Sequence, residues 1–395
     1  MAESHSWQKR LALLSVSMLV SFGMAEAAVR LFTKVDPRFY NDADTQLHIT
    51  PDTDNPKDNP FQLPMGYHTT RTSTDARHVG FPTHFNSHGM RDPAEYAVAK
   101  PANTRRVMLL GDSVIFGHVE ESQRLPPALR RALEKRLGGL SVETPAFTCP
   151  GWDFVSYLLM MQQAVSRFEV DDVVVGVVLN DLTGGSAPLT DDGKIDIERL
   201  RQPPEPALSL TSAAKAVARH SALITALVWA SKGFYARGRT LEPTLAKLTK
   251  GEHAFDSEVA ALQTGFAWLA KTCKARNIRC LVVSFPYGPQ LEEGLARTVI
   301  ESWFGKTYVP SVVNDGPQKA LAALCQQVGL EFLDLIPVYR AAGNVASLFF
   351  DTPEGRIDYV HLSARGNEVT ADAIAGSLAA PAPILPAAAS PTTAH

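Results

Sequence analysis

Residues 106–117 read RVMLLGDSVIFG, and this stretch decides the fold. Val107–Leu110 form a short apolar run of the kind that is buried in a sheet. The run ends in Gly111-Asp112-Ser113, three residue types that favour turns, and a second glycine, Gly117, follows four residues after the serine. Either this is an ordinary strand-to-helix turn, or the turn holds Ser113 where it can react.

Similar apolar runs alternate with segments of helical periodicity through much of the chain. This alternation predicts a parallel sheet with helices on both faces. We therefore expect an α/β fold: a three-layer α/β/α sandwich around a five-stranded, mainly parallel, doubly wound sheet of the flavodoxin-like type. The predicted strands are 107–110, 141–147, 171–179, 278–285 and 330–336, and the predicted helices are 125–137, 154–168, 257–275, about 315–329 and one that begins at Ser363.

Length and composition exclude some classes of protein. A chain of 395 residues predicts one large domain with insertions, or two domains. Hydrophobic residues make up 45% of the chain and charged residues 20%, which is enough apolar side chain for a full core. Lys plus Arg number 38 and Asp plus Glu 41, so the net charge is -3 and a strongly basic nucleic-acid binder is not expected.

The N-terminus has the pattern of a membrane-targeting segment. Lys9 and Arg10 precede an apolar run over Leu11–Ala25. Together with Ala-Glu-Ala at 25–27, this pattern is typical of a cleavable signal peptide. Alternatively, the helix continues to Phe32 and reaches about the 20 residues that span a bilayer. We favour the uncleaved anchor, because a second apolar stretch follows the nominal cleavage site. Either interpretation places the rest of the chain outside the cytoplasm, in the periplasm of a bacterium, because positive charge stays inside.

The remaining chain divides by composition. Residues 33–100 are rich in Pro, Asp, Asn, Thr and His, and predict a juxtamembrane linker and an irregular lead-in with short strands. Residues 101–380 carry the α/β pattern, which is interrupted at about 183–256 by a helical insertion, either a lid or a helix lying on the membrane. Residues 381–395 are rich in Pro and Ala and predict a disordered tail.

Neither the cysteines nor the histidines show a metal-site pattern, and we expect no metal and no cofactor. No two cysteines form a C-x-x-C pair, so buried thiols are expected, although Cys273 and Cys280 are near enough in sequence to be bridged. The histidines of the lead-in match no common ligand spacing, so surface or hydrogen-bonded roles are expected. The residues concerned are Cys149, Cys273, Cys280 and Cys325, and His68, His78, His84 and His88.

Polar residues follow the predicted strands where each one ends. Gly111-Asp112-Ser113 follows the first strand, Pro150-Gly151 the second and Asn180-Asp181 the third, and residues 358–361 (DYVH) precede the last helix. In doubly wound sheets, ligands bind beyond the carboxyl ends of the strands. The sequence therefore predicts that these residues meet at one edge of the sheet.

The residue types at this edge suit nucleophilic catalysis. A serine hydroxyl needs a base to take its proton, so Ser113 requires a partner. His361 is the only histidine at a predicted strand end with a carboxylate three residues before it. That spacing lets Asp358 bond to the ring nitrogen that faces away from Ser113, which fixes the tautomer and stabilises the imidazolium.

These residues resemble the SGNH, or GDSL-type, hydrolase family. The resemblance covers roughly residues 105–180 and 278–380, and its blocks are GDSVIFG at 111–117, the lone Gly151, LND at 179–181 and DYVH at 358–361. The lead-in FNSHGMRD (85–92) also resembles the N-x-x-G-x-R-D segment of envelope-associated members. The family usually has glycine two residues before the asparagine, where this chain has Val178.

The resemblance implies a serine esterase with an oxyanion hole formed by the backbone N–H groups of Ser113 and Gly151 and the side-chain amide of Asn180. The expected substrate is an acylated carbohydrate or a small ester, in particular an O-acyl, or O-acetyl, ester of an envelope carbohydrate or lipid, cleaved through an acyl-serine intermediate. Two alternatives stay open. One is an O-acyltransferase with the same triad, acting on a polysaccharide, and the other is a non-catalytic protein that binds glycans or envelope partners.

Overall fold

The computed structural model describes residues 4–32, 76–78, 81–84, 86–184, 189–190, 193–196, 221, 223–224, 241–352 and 355–380. The chain forms two compact units. The first combines residues 1–46 with 204–238, and the second combines residues 47–203 with 239–395. Residues 33–75 of the predicted linker and lead-in (33–100), most of the predicted insertion and the predicted tail at 381–395 lie outside the described residues.

The first unit contains helix α1, Ser4–Phe32. Its Leu13–Leu31 segment has 19 residues and a mean hydropathy of 1.4, so it is long and apolar enough to cross a membrane. A signal sequence meets the same criteria. None of the residues in this segment is buried. The helix continues past the nominal cleavage site, and Glu26 and Arg30 form an i,i+4 ion pair at 2.7 Å. The Glu26 carboxylate also accepts hydrogen bonds from the Ser221 hydroxyl at 2.7 Å and the Leu223 backbone N–H at 2.8 Å.

The second unit is built on a sheet of six strands whose pairs are all parallel. Its order is β4-β3-β6-β7-β8, and β5 pairs with β3 beyond β4. When β4 and β5 are counted as one interrupted strand and the strands are numbered along the chain, their order across the sheet is 2-1-3-4-5. The predicted flavodoxin-like sheet is therefore confirmed. The strands are β3 Thr104–Gly111, β4 Ser141–Glu143, β5 Ala146–Thr148, β6 Asp172–Val178, β7 Arg279–Phe285 and β8 Glu331–Asp334.

Helices cover both faces of this sheet. On one face, the helix Ala364–Ala379 packs against the helices Leu125–Leu137 and Leu335–Ala341. On the other face, the helix Gln263–Ala275 packs against the helices Phe154–Ala164 and Gly316–Val328. Two short antiparallel hairpins, β1–β2 and β9–β10, lie outside the main sheet. The helices are α2 Ser113–Phe116, α3 Leu125–Leu137, α4 Phe154–Ala164, α5 Pro243–Leu248, α6 Asp256–Ala261, α7 Gln263–Ala275, α8 Glu293–Phe304, α9 Gly316–Val328, α10 Leu335–Ala341 and α11 Ala364–Ala379, and the hairpin strands are β1 Ala76–His78, β2 Phe81–Thr83, β9 Phe349–Asp351 and β10 Ile357–Leu362.

The central strands are apolar because they are covered on both faces. Every residue of β6 is buried, as expected for the strand of a parallel sheet. At the end of the sheet opposite Ser113, ion pairs join neighbouring strands: Arg105 contacts Asp172 at 2.7 Å, and Arg279 contacts Glu331 at 2.7 Å. These contacts fix the register of the strands that carry the site.

The structure corrects several predicted boundaries. The predicted second strand is two strands, because Pro145 has no N–H to continue the ladder. The helix predicted over 154–168 ends at Ala164, and the one predicted over 257–275 is broken after Ala261. The last predicted strand ends at Asp334, because its carboxylate accepts the Ile336 N–H at 2.9 Å and starts α10.

The described cysteines and histidines agree with their expected roles. All four cysteines are free and buried, so Cys273 and Cys280 are not bridged in this structure. In the lead-in, the short strands β1 and β2 are present, and Nε2 of His88 lies 2.9 Å from the Tyr96 carbonyl. His68 lies outside the described residues.

Candidate active site

Ser113 is the first residue of the short helix that follows β3. The Asp112 carboxylate caps this helix by accepting the Val114 N–H at 2.9 Å. Two glycines let the turn pack tightly on the sheet, because a Cβ at Gly111 or at Gly176 would come within 2.6 Å of the Ile115 side chain. The sequence Gly-Asp-Ser thus positions Ser113 directly after the carboxyl end of β3.

His361 reaches Ser113 from a part of the chain 248 residues away, and its Nε2 lies 2.9 Å from the Ser113 Oγ. The histidine sits on β10, one strand of the hairpin that precedes α11. Its Nδ1 lies 2.8 Å from Oδ2 of Asp358. Asp358, His361 and Ser113 therefore form one continuous chain of hydrogen bonds, as the sequence predicts.

The Asp358 carboxylate is held by the backbone as well as by the imidazole. Its Oδ1 accepts the N–H groups of Val360 at 2.8 Å and His361 at 2.9 Å. Burial favours the neutral acid, but the interactions with His361 and with these N–H groups outweigh it and hold the pKa of Asp358 below its usual value. An ionised Asp358 has no proton to donate, so the hydrogen bond between it and Nδ1 requires the proton to be on Nδ1. Nε2 is then free of a proton and can accept the proton of Ser113.

Gly151 and Asn180, the other predicted site residues, follow the strands on either side of β3. Gly151 comes three residues after Thr148, which pairs with Gly111. It is exposed, its φ is +80°, and no atom lies within 4 Å of the place where a Cβ would be. Its backbone therefore faces open space with a conformation that favours glycine.

Asn180 lies in the short 3-10 segment Leu179–Gly184 directly after β6. The Tyr287 hydroxyl lies 3.5 Å from the Asn180 Oδ1. A hydrogen bond also joins the Asn180 side chain to Asp112, beside Ser113. The asparagine is therefore held on both sides at the point between β3 and β6 where the strand order reverses, which is the ligand-binding position of such sheets.

Asp112 and Asp181 are fully buried acids that support this edge of the sheet. Asp181 accepts the Tyr157 hydroxyl at 3.0 Å and the Val178 N–H at 2.8 Å, so the N–H of Val178 is used inside the fold. Burial raises the pKa of both carboxyls, and the charge of Asp112 raises that of Asp181 further.

The structure adds His118, which sequence reasoning missed. Its ring stacks on His361 with centroids 3.7 Å apart and planes 25° apart. Within the described part of the chain, His118, Asp358 and His361 are the one group of three ligating side chains whose ligand atoms all lie within 4.8 Å of one another. Both ring nitrogens of His361 are engaged in hydrogen bonds, to Ser113 and to Asp358. A metal ion bound to His361 would therefore have to replace one of these hydrogen bonds.

Comparisons with known proteins give structural neighbours only. No family model matches the chain, and no curated protein matches it in sequence. Among solved structures, it is similar to a lipase from a goat rumen metagenome (16% identity, TM-score 0.38, covering 69% of this chain and 96% of that one). It is also similar to an acetyl xylan esterase (15%, 0.37, 69% and 99%) and to a lipase/acylhydrolase from Enterococcus faecalis (14%, 0.35, 70% and 95%). These sequence identities and TM-scores are too low to assign a function to this chain, so the proposed function rests on the geometry of the site.

Proposed function

We propose that this protein is a serine hydrolase of the SGNH type that cleaves an ester bond through an acyl-serine intermediate. One observation carries the proposal: the unbroken Asp358–His361–Ser113 chain of hydrogen bonds, 2.8 Å and 2.9 Å long, at the carboxyl edge of the sheet. A serine is activated for attack by an adjacent base that a third group orients, and these three side chains have those positions.

The first half of the reaction acylates the serine. The Ser113 Oγ bonds to the ester carbonyl carbon while its proton passes to Nε2 of His361, and the carbonyl oxygen becomes an oxyanion. When the tetrahedral intermediate collapses, the bond to the leaving oxygen breaks, and that oxygen takes the proton from Nε2. Asp358 stays ionised throughout and stabilises the imidazolium.

The second half releases the acid. A water molecule gives a proton to Nε2 and bonds to the acyl carbon, which forms a second oxyanion. The bond from carbon to the Ser113 Oγ then breaks, and the serine regains its proton from His361. We assign the Ser113 and Gly151 N–H groups and the Asn180 amide as the donors that bind the oxyanion in both halves, since preorganised donors of this kind stabilise developing charge.

The substrate that we propose is an O-acyl, in particular O-acetyl, ester of an envelope carbohydrate or lipid. The support is the N-terminal helix, which suits a membrane span and has Lys9 and Arg10 at its start. Because basic residues tend to stay on the cytoplasmic side, our proposal has the catalytic unit outside the cytoplasm, anchored to the membrane or secreted after cleavage.

The test compares hydrolysis with transfer. The purified full-length protein is given an aryl acetate alone and then with an acetyl-free polysaccharide, and both free acetate and acetylated polysaccharide are measured. We expect free acetate as the main product and neither product from Ser113→Ala. A product dominated by acetylated polysaccharide would instead establish an O-acyltransferase, because the same acyl-enzyme would be intercepted by a sugar hydroxyl.

A non-catalytic role is tested separately. If Ser113→Ala supports full biological activity in the cell that makes this protein, binding of a glycan or partner is the function and the esterase proposal is wrong. The two experiments together separate the three interpretations of the site.

A further inference from the structure

The catalytic histidine is fixed within its ring plane by two hydrogen bonds, but these bonds do not cover its faces. His118 covers one face, because its ring lies parallel to that of His361 within 25° at 3.7 Å between centroids. His118 also packs against Phe350, with ring centroids 6.1 Å apart and ring planes at 86°. Tilting of the His361 ring out of its plane toward His118 is therefore blocked by contact.

His118 belongs to a loop whose backbone is held by two buried arginines. Arg91 donates through Nη1 to the carbonyls of Phe116 at 3.0 Å and Gly117 at 2.5 Å, and through Nη2 to that of Val119 at 3.2 Å. Arg124 donates through Nε to the Phe116 carbonyl at 2.7 Å. The carbonyls before and after His118 are thus fixed by the guanidinium groups.

The Arg91 guanidinium has no exposed side-chain surface, and Glu121 is its acidic partner at 3.2 Å. Burial and then the charge of Arg124 lower the pKa of Arg91 to about 9. A charged group this deeply buried is costly unless it is hydrogen-bonded, and here its hydrogen bonds go largely to the loop that carries His118. The arginine of the N-x-x-G-x-R-D segment therefore has a direct structural link to the catalytic edge.

We propose that His118 is a positioning residue for His361, and that Arg91 affects catalysis through His118. The inference rests on the proposed esterase function. The flat ring of His118 keeps the His361 imidazole in the plane shared by Ser113 and Asp358 while that imidazole gains and loses its proton in each half-reaction. His118 itself exchanges no proton in this scheme, so a flat ring that does not titrate serves equally well.

The test uses full-length protein with His118→Ala and His118→Phe, assayed on an aryl acetate. We expect the alanine variant to lose about 10- to 100-fold in kcat with KM nearly unchanged, since a misplaced catalytic group can cost about 100-fold. We expect phenylalanine to restore most of kcat, because it keeps a flat face against His361. His253→Ala is the control, since that ring is 89% exposed and pairs only with Asp256 among the described charged groups.

Arg91→Lys supplies a second line of evidence. A lysine cannot reproduce the forked contact with three carbonyls, so kcat should fall in the wild-type background. If Arg91 acts through His118, the double variant with His118→Ala should be no slower than His118→Ala alone. Additive losses would overturn that part of the proposal.

The outcomes separate this inference from the proposed function. An inactive wild-type protein whose Ser113 reacts with no acylating probe would contradict the esterase itself. An active wild type with full kcat in His118→Ala, a loss that appears in KM, or a His118→Phe variant as slow as the alanine variant would overturn only the role of His118. Thermal denaturation of each variant confirms that the compared proteins are folded.

Discussion

At the scale of single residues, the triad is where sequence and structure agree most closely. Ser113, Asp358 and His361 were identifiable because each chemistry-bearing side chain stands beside a strand end in an α/β pattern. His118 was not identifiable, because its contact with His361 joins two loops that nothing in the sequence relates. The sequence thus indicates the candidate catalytic residues, whereas the residues that pack against them depend on tertiary contacts.

Asp358→Asn tests the orientation of the imidazole. An asparagine amide can turn its NH₂ toward Nδ1, which favours the tautomer with the proton on Nε2 and leaves no acceptor for the Ser113 proton. We expect kcat on an aryl acetate to fall about 10,000-fold, the size of the effect of this change in a serine triad. Asp372→Asn, at a side chain that is 70% exposed, is the matched control and should keep full activity. A loss below tenfold in Asp358→Asn would show that the carboxylate does not set the tautomer.

At the scale of elements, the apolar strands and the order of the sheet could be predicted, and the short polar elements could not. β6 and β7 could be predicted because most of their residues are apolar, as is typical of strands buried on both faces. The structure shows nearly every residue of both strands buried. The hairpin β9–β10, which carries His361, was not predicted, because its residues are mostly half-buried and show no clear alternation of apolar and polar types. The helix α8 was not predicted either. The hairpin is nevertheless the element that brings His361 to Ser113.

Asp181→Asn tests the buried acid that supports the turn after β6. Because burial raises the pKa of Asp181 in the folded protein, ionisation costs more there than in the unfolded chain. The wild-type protein should therefore lose stability as pH rises from the unfolded pKa toward the folded one, whereas Asn cannot ionise and keeps both hydrogen bonds. We expect the difference in Tm, variant minus wild type, to be more positive at about pH 7.5 than at about pH 4.5.

The measurement is thermal denaturation of both proteins at the two pH values, with exposed Asp372→Asn as the comparison. Equal pH dependence in wild type and Asp181→Asn would mean that Asp181 ionises in the folded protein as easily as in the unfolded chain. Activity measured alongside shows whether the turn still presents Asn180 correctly.

At the scale of the whole molecule, the predicted N-terminal apolar run lies in the helix Ser4–Phe32, and the predicted α/β fold is confirmed. Composition did not predict that residues 204–238 would group with the N-terminal helix. Among the described residues, the Glu26 carboxylate joins these parts of the chain by accepting hydrogen bonds from the Ser221 hydroxyl at 2.7 Å and the Leu223 N–H at 2.8 Å. Contacts between residues about 195 positions apart leave no periodic pattern in the sequence.

Removal of residues 1–32 tests the role of the N-terminal helix. Leu13, Leu19 and Leu31 are at least 72% exposed. Because so much apolar surface is costly to expose to water, we expect a bilayer or detergent to cover this helix. We expect full-length protein in the membrane fraction and the shortened protein in the soluble fraction, with equal kcat on an aryl acetate. Intact mass of the cell-made protein shows whether the segment is retained. A mature chain that begins near Ala27 or Ala28 would establish a cleaved signal peptide.

The most direct test of the central claim is labelling of the purified protein with a serine-directed fluorophosphonate, followed by mass spectrometry to locate the adduct. The account predicts one adduct, on the Ser113 Oγ, and loss of that adduct in His361→Ala, because only a serine paired with its base is reactive enough. No adduct on Ser113, or an adduct that forms equally fast without His361, would contradict it.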